Sequence, residues 1–381
     1  MQQWARFAIL GAMFVVAYLL ILAWQKDYGH AETQPQPQQA AAVSHEVSAD
    51  LPNAQTASAA SDMPQANIAT QQPVTESKAS VNQQLISVQT DLYHLWINPK
   101  GGDIVRIELL NHDKSKDSNE AFVMLESDAK RTYVAQSGLI GLNGPDSNRS
   151  GRPMYEIEKS AYTLNDAKAV QTEDGKSIKV LTVPMVLKTA DGVEIIKTFT
   201  FKQGEYPVVV NHKVVNRSGQ NWQGQMFGQL KRDNSDDPGK SDQGIFTLGT
   251  FLGGAWGSPE EHYNKLKFAN FNEEKLNVEA KGGWVAMVQH YFVSAWIPGD
   301  LKLTQANGQP YVAKLESRKS TDDMNIIGFT SPTITVPAGT VAEIDATFYS
   351  GPKVQSELKE LATGLNQTVD YGWLWPIAKL L

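Results

Sequence analysis

The 381-residue chain contains no cysteine. That absence excludes disulfide bonds, a thiolate nucleophile and every zinc site built on cysteine. A basic excess is missing too: 34 Lys and Arg face 41 Asp and Glu, for a formal net charge of −7. No nucleic acid partner is expected, because phosphate binding needs a basic footprint. Aromatic residues are absent between Tyr28 and Tyr93. Charge is absent from Phe7 to Trp24, and this last gap is the most informative.

Those 18 uncharged residues include Leu10, Phe14, Val15, Val16, Leu19, Leu20, Ile21 and Leu22. As a helix they span about 27 Å at ~1.5 Å per residue, close to the thickness of a bilayer's hydrocarbon core. A cleaved signal peptide is the competing reading, and Gly29-His30-Ala31 loosely fits a small-x-small cleavage site. The run is long for that role, and Trp4 and Trp24 flank it like an interfacial aromatic belt. A retained transmembrane anchor over 1–28 is therefore expected. Arg6 favours an inside amino terminus and Lys26 weakly opposes it, so the remainder is expected to be extracytoplasmic.

The aromatic gap coincides with a Gln- and Ala-rich stretch carrying Pro35, Pro37, Pro52, Pro64 and Pro73. Such a composition cannot bury enough apolar surface to offset its ordering entropy, so 29–84 reads as a disordered tether. From Leu85 onward the dominant period is two. Tyr93, Leu95 and Ile97 share one face, as do Val105, Ile107 and Leu109 on the next run. Leu181, Val183, Met185 and Leu187 precede Asp191-Gly192, and Val193, Ile195, Phe199 and Phe201 follow it, which predicts a hairpin. Further strands are predicted over Pro207–Val215, Trp284–Ile297 and Val341–Tyr349. Many short strands with turn chemistry between them predict a mainly β, large antiparallel sandwich over 85–365. The period changes once, where Val354, Leu358, Leu361 and Leu365 mark one helix face, with Pro352 in its first turn and Gly364 near its stop. Tyr371-Gly372-Trp373-Leu374-Trp375 then gives 366–381 an interfacial character.

Catalytic patterns fail one by one. The histidines His30, His45, His94, His112, His212, His262 and His290 are scattered, with no pair at helical ligand spacing. Pro238-Gly239-Lys240-Ser241 has Asn234 where a phosphate loop needs its first glycine. In Asp233–Asp237 a calcium loop is ruled out by Pro238 and Gly244 at the glycine and glutamate positions, leaving a solvated acidic turn. Glu260-Glu261 and Glu273-Glu274 are adjacent rather than converging, so they read as surface charge. No Gly-x-Ser-x-Gly elbow occurs. No catalytic residue, cofactor or metal site is expected.

A set of ordered segments carries more information. They are Gly101-Gly102-Asp103, Gln136-Ser137-Gly138-Leu139 with Gly144-Pro145-Asp146, Arg152-Pro153-Met154-Tyr155, and Phe227-Gly228-Gln229-Leu230. Lys281-Gly282-Gly283-Trp284 through Phe292, Ala295-Trp296-Ile297-Pro298 and Val369–Trp375 follow. In this order they resemble the Gram-negative YidC membrane protein insertase family, over essentially the whole chain. The resemblance implies one membrane helix, a periplasmic β-supersandwich similar to galactose mutarotase with a helix packed at its end, and an interfacial helix leading to further membrane helices. It implies an insertase and folding chaperone of the cell inner membrane, multi-pass when full-length. The implied partners are the Sec translocon with its accessory subunits, nascent inner-membrane proteins and the lipid bilayer. The family's polar groove and its arginine have no match before Leu381, so a fragment that does not insert substrates alone is expected. For the β-domain two roles stand open. One is a binding and docking module of unknown surface, with Phe251–Trp256 as a candidate lining whose alternative is core packing. The other is a carbohydrate-binding or mutarotase-like enzyme, which needs a histidine and a carboxylate converging in a cleft.

Overall fold

The computed structural model describes residues 84–369 apart from 116–117, 149–150, 173, 239–250 and 300–310. The anchor run, the tether up to residue 83 and the aromatic tail lie outside the described residues. Among the described residues no helix is long and apolar enough to cross a membrane.

Among the described residues, alternation of buried and half-buried positions builds two sheets, of eleven and ten strands. The first runs in the order Asn277–Ala280, Ala313–Lys319, Asn325–Thr330, Trp222–Arg232, Thr132–Ile140, Ala121–Ser127, Asp103–Asp113, Tyr93–Asn98, Ile86–Gln89 and Ala161–Thr163. Ile334–Val336 pairs with Trp222–Arg232 off this path. The second runs Asn264–Leu266, Gly253–Gly257, Trp284–Val288, Phe292–Pro298, Val341–Pro352, Val208–Asn216, Val193–Lys202, Ser177–Lys188 and Glu156–Ile157. Lys168–Gln171 adds to Ser177–Lys188. Pairing is antiparallel throughout these strands except where Ile86–Gln89 meets Ala161–Thr163 in parallel. The inward faces of both sheets merge in one core around Trp284, Trp296, Phe199, Phe329 and Tyr349. Bonds also cross it: Trp296 Nε1 donates to the Gln229 carbonyl at 3.1 Å.

The expected hairpin at Asp191-Gly192 forms, with Lys188 opposite Glu194 and Gly192 at φ +90°. Three expectations need correction. Val105 is not on the core face: a bulge pairs Trp96 with Arg106 but Ile97 with Ile104, so Ile104 is buried instead. An extra residue reverses the facing of everything beyond it. Trp284–Ile297 is two strands, because Gln289-His290-Tyr291 turns the chain back on itself. The terminal helix is shorter than the apolar spacing suggested. It spans Gln355–Leu361, with Pro352 still in the preceding strand and Leu365–Thr368 forming a separate 3-10 turn. Gly364 separates the two at φ +84°, and a Cβ there would lie 1.9 Å from the His262 carbonyl oxygen. Leu358 and Leu365 nevertheless reach the core as expected.

Candidate functional site

Four of the segments singled out in the sequence, those at Gly101–Asp103, Gln136–Asp146, Arg152–Tyr155 and Phe227–Leu230, meet inside the sandwich. Gly101 and Gly102 turn the chain at φ +79° and +66°, conformations open to glycine, and this aims their carbonyls inward. Gln136 and Ser137 lie directly across the ladder from Gln229 and Gly228, so two of the segments are cross-strand neighbours. Asp146 follows the 3-10 start at Pro145, and its Oδ2 accepts the Leu139 N–H at 2.7 Å.

Into this frame projects Lys197, which is 0% exposed. Its ammonium donates to the carbonyls of Gly101, Gly102 and Ser137 at 3.0, 2.9 and 2.8 Å. Three donors therefore meet three acceptors. Arg152 sits beside it and pairs with Asp103 at 2.5 Å and with Asp146 at 3.2 Å. Two cations and two carboxylates balance in a low-dielectric interior. Burial pulls the Lys197 ammonium down to about 7, with Arg152 adding to the fall and the two carboxylates opposing it. Burial raises Asp146, against the pull of Arg152. From Asp103 a hydrogen-bonded chain continues through Gln136 to Gln229 and Arg318, at 2.8, 2.9 and 2.7 Å.

Lys197 was missed in the sequence although its signal was present. It falls on the same period-two lattice as Ile195 and Phe199, which places a lysine on a core face. Its cross-strand partner is His212, also 0% exposed. Neither residue has exposed surface, and the cluster is an interior staple between the two sheets.

A second cluster corrects the solvated-turn reading of Asp233–Asp237. Arg232, fully buried, pairs with Asp237 at 2.7 Å, and Gln289 Nε2 donates to the same Oδ1 at 2.6 Å. Asp233 Oδ2 accepts the Thr132 N–H at 2.7 Å. Arg131 and Arg232 both lie over the Tyr133 ring, at 5.5 and 5.2 Å from its centre. The turn is half-buried because two arginines need its carboxylate. Gly239 and the rest of the failed phosphate motif lie outside the described residues.

The other candidates separate cleanly. Glu260, Glu261, Glu273 and Glu274 are exposed, as surface charge should be. Gly253, Gly254 and Ala255 are buried and paired with Trp284–Val288, while Phe251 and Trp256 pack on the core, so the core reading of that segment holds. His94 approaches Glu108 at 3.9 Å, on the outer face of the first sheet, with its ring tilted against Trp96. Among the described residues no group of three or more His, Asp or Glu is arranged to hold a metal. An open groove of about 510 Å³ runs beside the end of the terminal helix, between the Gly282-Gly283 turn, Pro298, Asp345 and Thr363. Trp284 Nε1 donates to the Thr363 carbonyl at 2.9 Å and fixes its wall.

The chain is similar to proteins named membrane protein insertase YidC. It is 40% identical to that of Pseudomonas putida strain F1 over 98% of this chain and 63% of the relative. For Marinomonas sp. strain MWYL1 the figures are 39%, 100% and 64%. For Stutzerimonas stutzeri strain A1501 they are 41%, 98% and 63%. The chain thus spans a little under two thirds of the length of these relatives. Among solved structures it is similar to a galactose mutarotase related enzyme from Lactobacillus acidophilus, at 9% identity and a TM-score of 0.42 over 70% of this chain and 97% of that one. A galactose mutarotase-like protein from Lactobacillus casei gives 11% and 0.39 over 70% and 99%. The model of the YidC periplasmic domain matches residues 85–381, and the chain belongs to that family.

Proposed function

We propose that this chain supplies the anchor and periplasmic β-domain of a membrane protein insertase of the cell inner membrane. The observation that carries this reading is the 40% identity across 98% of the chain with relatives named as that insertase. In this reading residues 1–28 span the membrane, 29–84 tether, 85–365 form the periplasmic domain and 366–381 begin an interfacial helix. The β-domain is a binding and docking module for the Sec translocon's accessory subunits or for emerging segments of nascent inner-membrane proteins. Its ionic residues point to rigidity rather than chemistry, since Lys197, His212 and Arg232 are closed to solvent. A rigid platform suits docking, because little ordering entropy is lost on association. The carbohydrate-enzyme alternative rests on fold alone, and a fold hosts many functions.

The test uses membranes depleted of the endogenous insertase. A longer chain carrying residues 1–381 ahead of the remaining third of the relatives' length is expected to restore insertion of a reporter membrane protein. Residues 1–381 alone are expected not to. Restoration by 1–381 alone would overturn the assigned division of labour.

A further inference from the structure

Of the large hydrophobic side chains left exposed among the described residues, Tyr291 is the most open, at 70%. It sits at the tip of the hairpin between Trp284–Val288 and Phe292–Pro298. The residues on either side of the exposed His290-Tyr291 pair, Gln289 and Phe292, are held inside. Gln289 is buried on Asp237, and Phe292 stacks on Phe122 at 4.3 Å. His290 lies edge-on to the Tyr291 ring at 3.9 Å. A well-anchored tip therefore presents an aromatic ring to the outside, which packing does not explain.

The tip has apolar company. The Lys353 N–H donates to the Tyr291 carbonyl at 2.9 Å, and the next residue, Val354, is 37% exposed. Leu110, 36% exposed, bonds through its N–H to Leu92 beside Tyr93, whose hydroxyl reaches the Ser350 carbonyl at the same end of the sandwich. The chain also leaves the described residues here. Lys353 Nζ donates to the Thr368 carbonyl at 3.1 Å, and Tyr371, Trp373, Trp375, Ile377, Leu380 and Leu381 follow in the sequence.

We infer that this end of the sandwich, with Tyr291 at its tip, rests in the headgroup region of the bilayer. Tyrosine and tryptophan suit that boundary because each joins an apolar ring to a polar tip. The lipid surface is favoured over a protein partner because the described residues end here, with Thr368 beside Lys353, and the sequence that follows is aromatic and apolar. The inference rests on the membrane reading above and goes beyond it, since it orients the domain.

The chain has no cysteine, so Tyr291→Cys, Val354→Cys and Val341→Cys each create one labelling site. Val341 is 52% exposed at the opposite end of the strand that carries Pro352, the partner of Phe292. At ~3.3 Å per residue the two ends are about 36 Å apart. The full chain, labelled with an environment-sensitive fluorophore, is reconstituted into phosphatidylethanolamine–phosphatidylglycerol vesicles. Labels at 291 and 354 are expected to shift to the blue and lose emission to headgroup-nitroxide lipids, while the label at 341 does neither. Water-like emission at 291 in vesicles that float with the chain overturns the inference and leaves the anchor reading intact. Failure of the chain to float removes both. Shielding of 291 that appears only when purified Sec accessory subunits are added makes the tip a protein-docking surface and overturns the lipid assignment.

Discussion

Lys197 stands directly opposite His212 in the ladder between Val193–Lys202 and Val208–Asn216, with both side chains fully buried. The pair is asymmetric. Lys197 donates to three carbonyls, whereas neither ring nitrogen of His212 has a hydrogen-bond partner in the protein among the described residues. The lysine binds the two sheets together; the histidine fills space beside it at a polar cost. Opposite responses to mutation are expected.

Replacing the lysine by Lys197→Met removes the ammonium from the Gly102 carbonyl, leaves those of Gly101 and Ser137 to Arg152, and unbalances Arg152 against two carboxylates. Removing one member of a buried ionic group costs about 3–5 kcal/mol, measurable as a lower urea midpoint. A pH signature accompanies it. The folded pKa of Lys197 is lowered to about 7, whereas the unfolded value is ~10.4. Between those values the unfolded chain holds the extra proton, so this group makes stability rise with pH through that window and contributes no slope below it. The variant is expected to show a flatter stability profile from about pH 7 to 9.

Substitution of the histidine by His212→Leu is expected to stabilise the domain at neutral pH by roughly 1 kcal/mol, because two unsatisfied polar atoms leave the core. Burial first, then Lys197 and Arg152, hold the His212 pKa well below its ordinary value. Its contribution is therefore complete above about pH 6.5 and is lost as pH falls, since only the unfolded chain takes up the proton. Thermal unfolding between pH 7 and 5 is expected to decline less steeply in the variant. Some slope remains, because burial lowers His112 in the same direction. An unchanged profile would mean that His212 is already charged or solvated.

Space is as demanding as charge around Asp146. A Cβ on Gly138 would lie 2.2 Å from Asp146 Oδ2, while one on Gly219 meets nothing within 4 Å. Gly138→Ala is expected to cost about 1–3 kcal/mol by pushing the carboxylate off Arg152 and the Leu139 N–H. Gly219→Ala is expected to stay within about 0.5 kcal/mol of the parent. Chemical denaturation of the pair checks this, and equal midpoints would show that the cluster relaxes around the added methyl.

Much of this architecture was legible in local pattern. Tyr93, Leu95 and Ile97 face the core as their alternation requires, and Asp191-Gly192 turns the hairpin it suggests. Pattern failed where one residue shifts the register, as at Val105, or where three residues suffice to reverse a strand, as at Gln289–Tyr291. It failed again for charge. Asp233–Asp237 looks solvated in sequence because its partners Arg131, Thr132 and Gln289 are distant along the chain.

By itself the sequence determined the β class, the inward faces of most strands and the family, because side-chain alternation and ordered motifs are local properties. Only the tertiary structure decided what the motifs do. Gly101, Ser137, Asp146 and Arg152 become one ionic staple around Lys197 because the two sheets bring them within hydrogen-bond reach. The energy of a charge depends on its distance to partners and on the water excluded around it, and neither quantity is written in spacing along the chain.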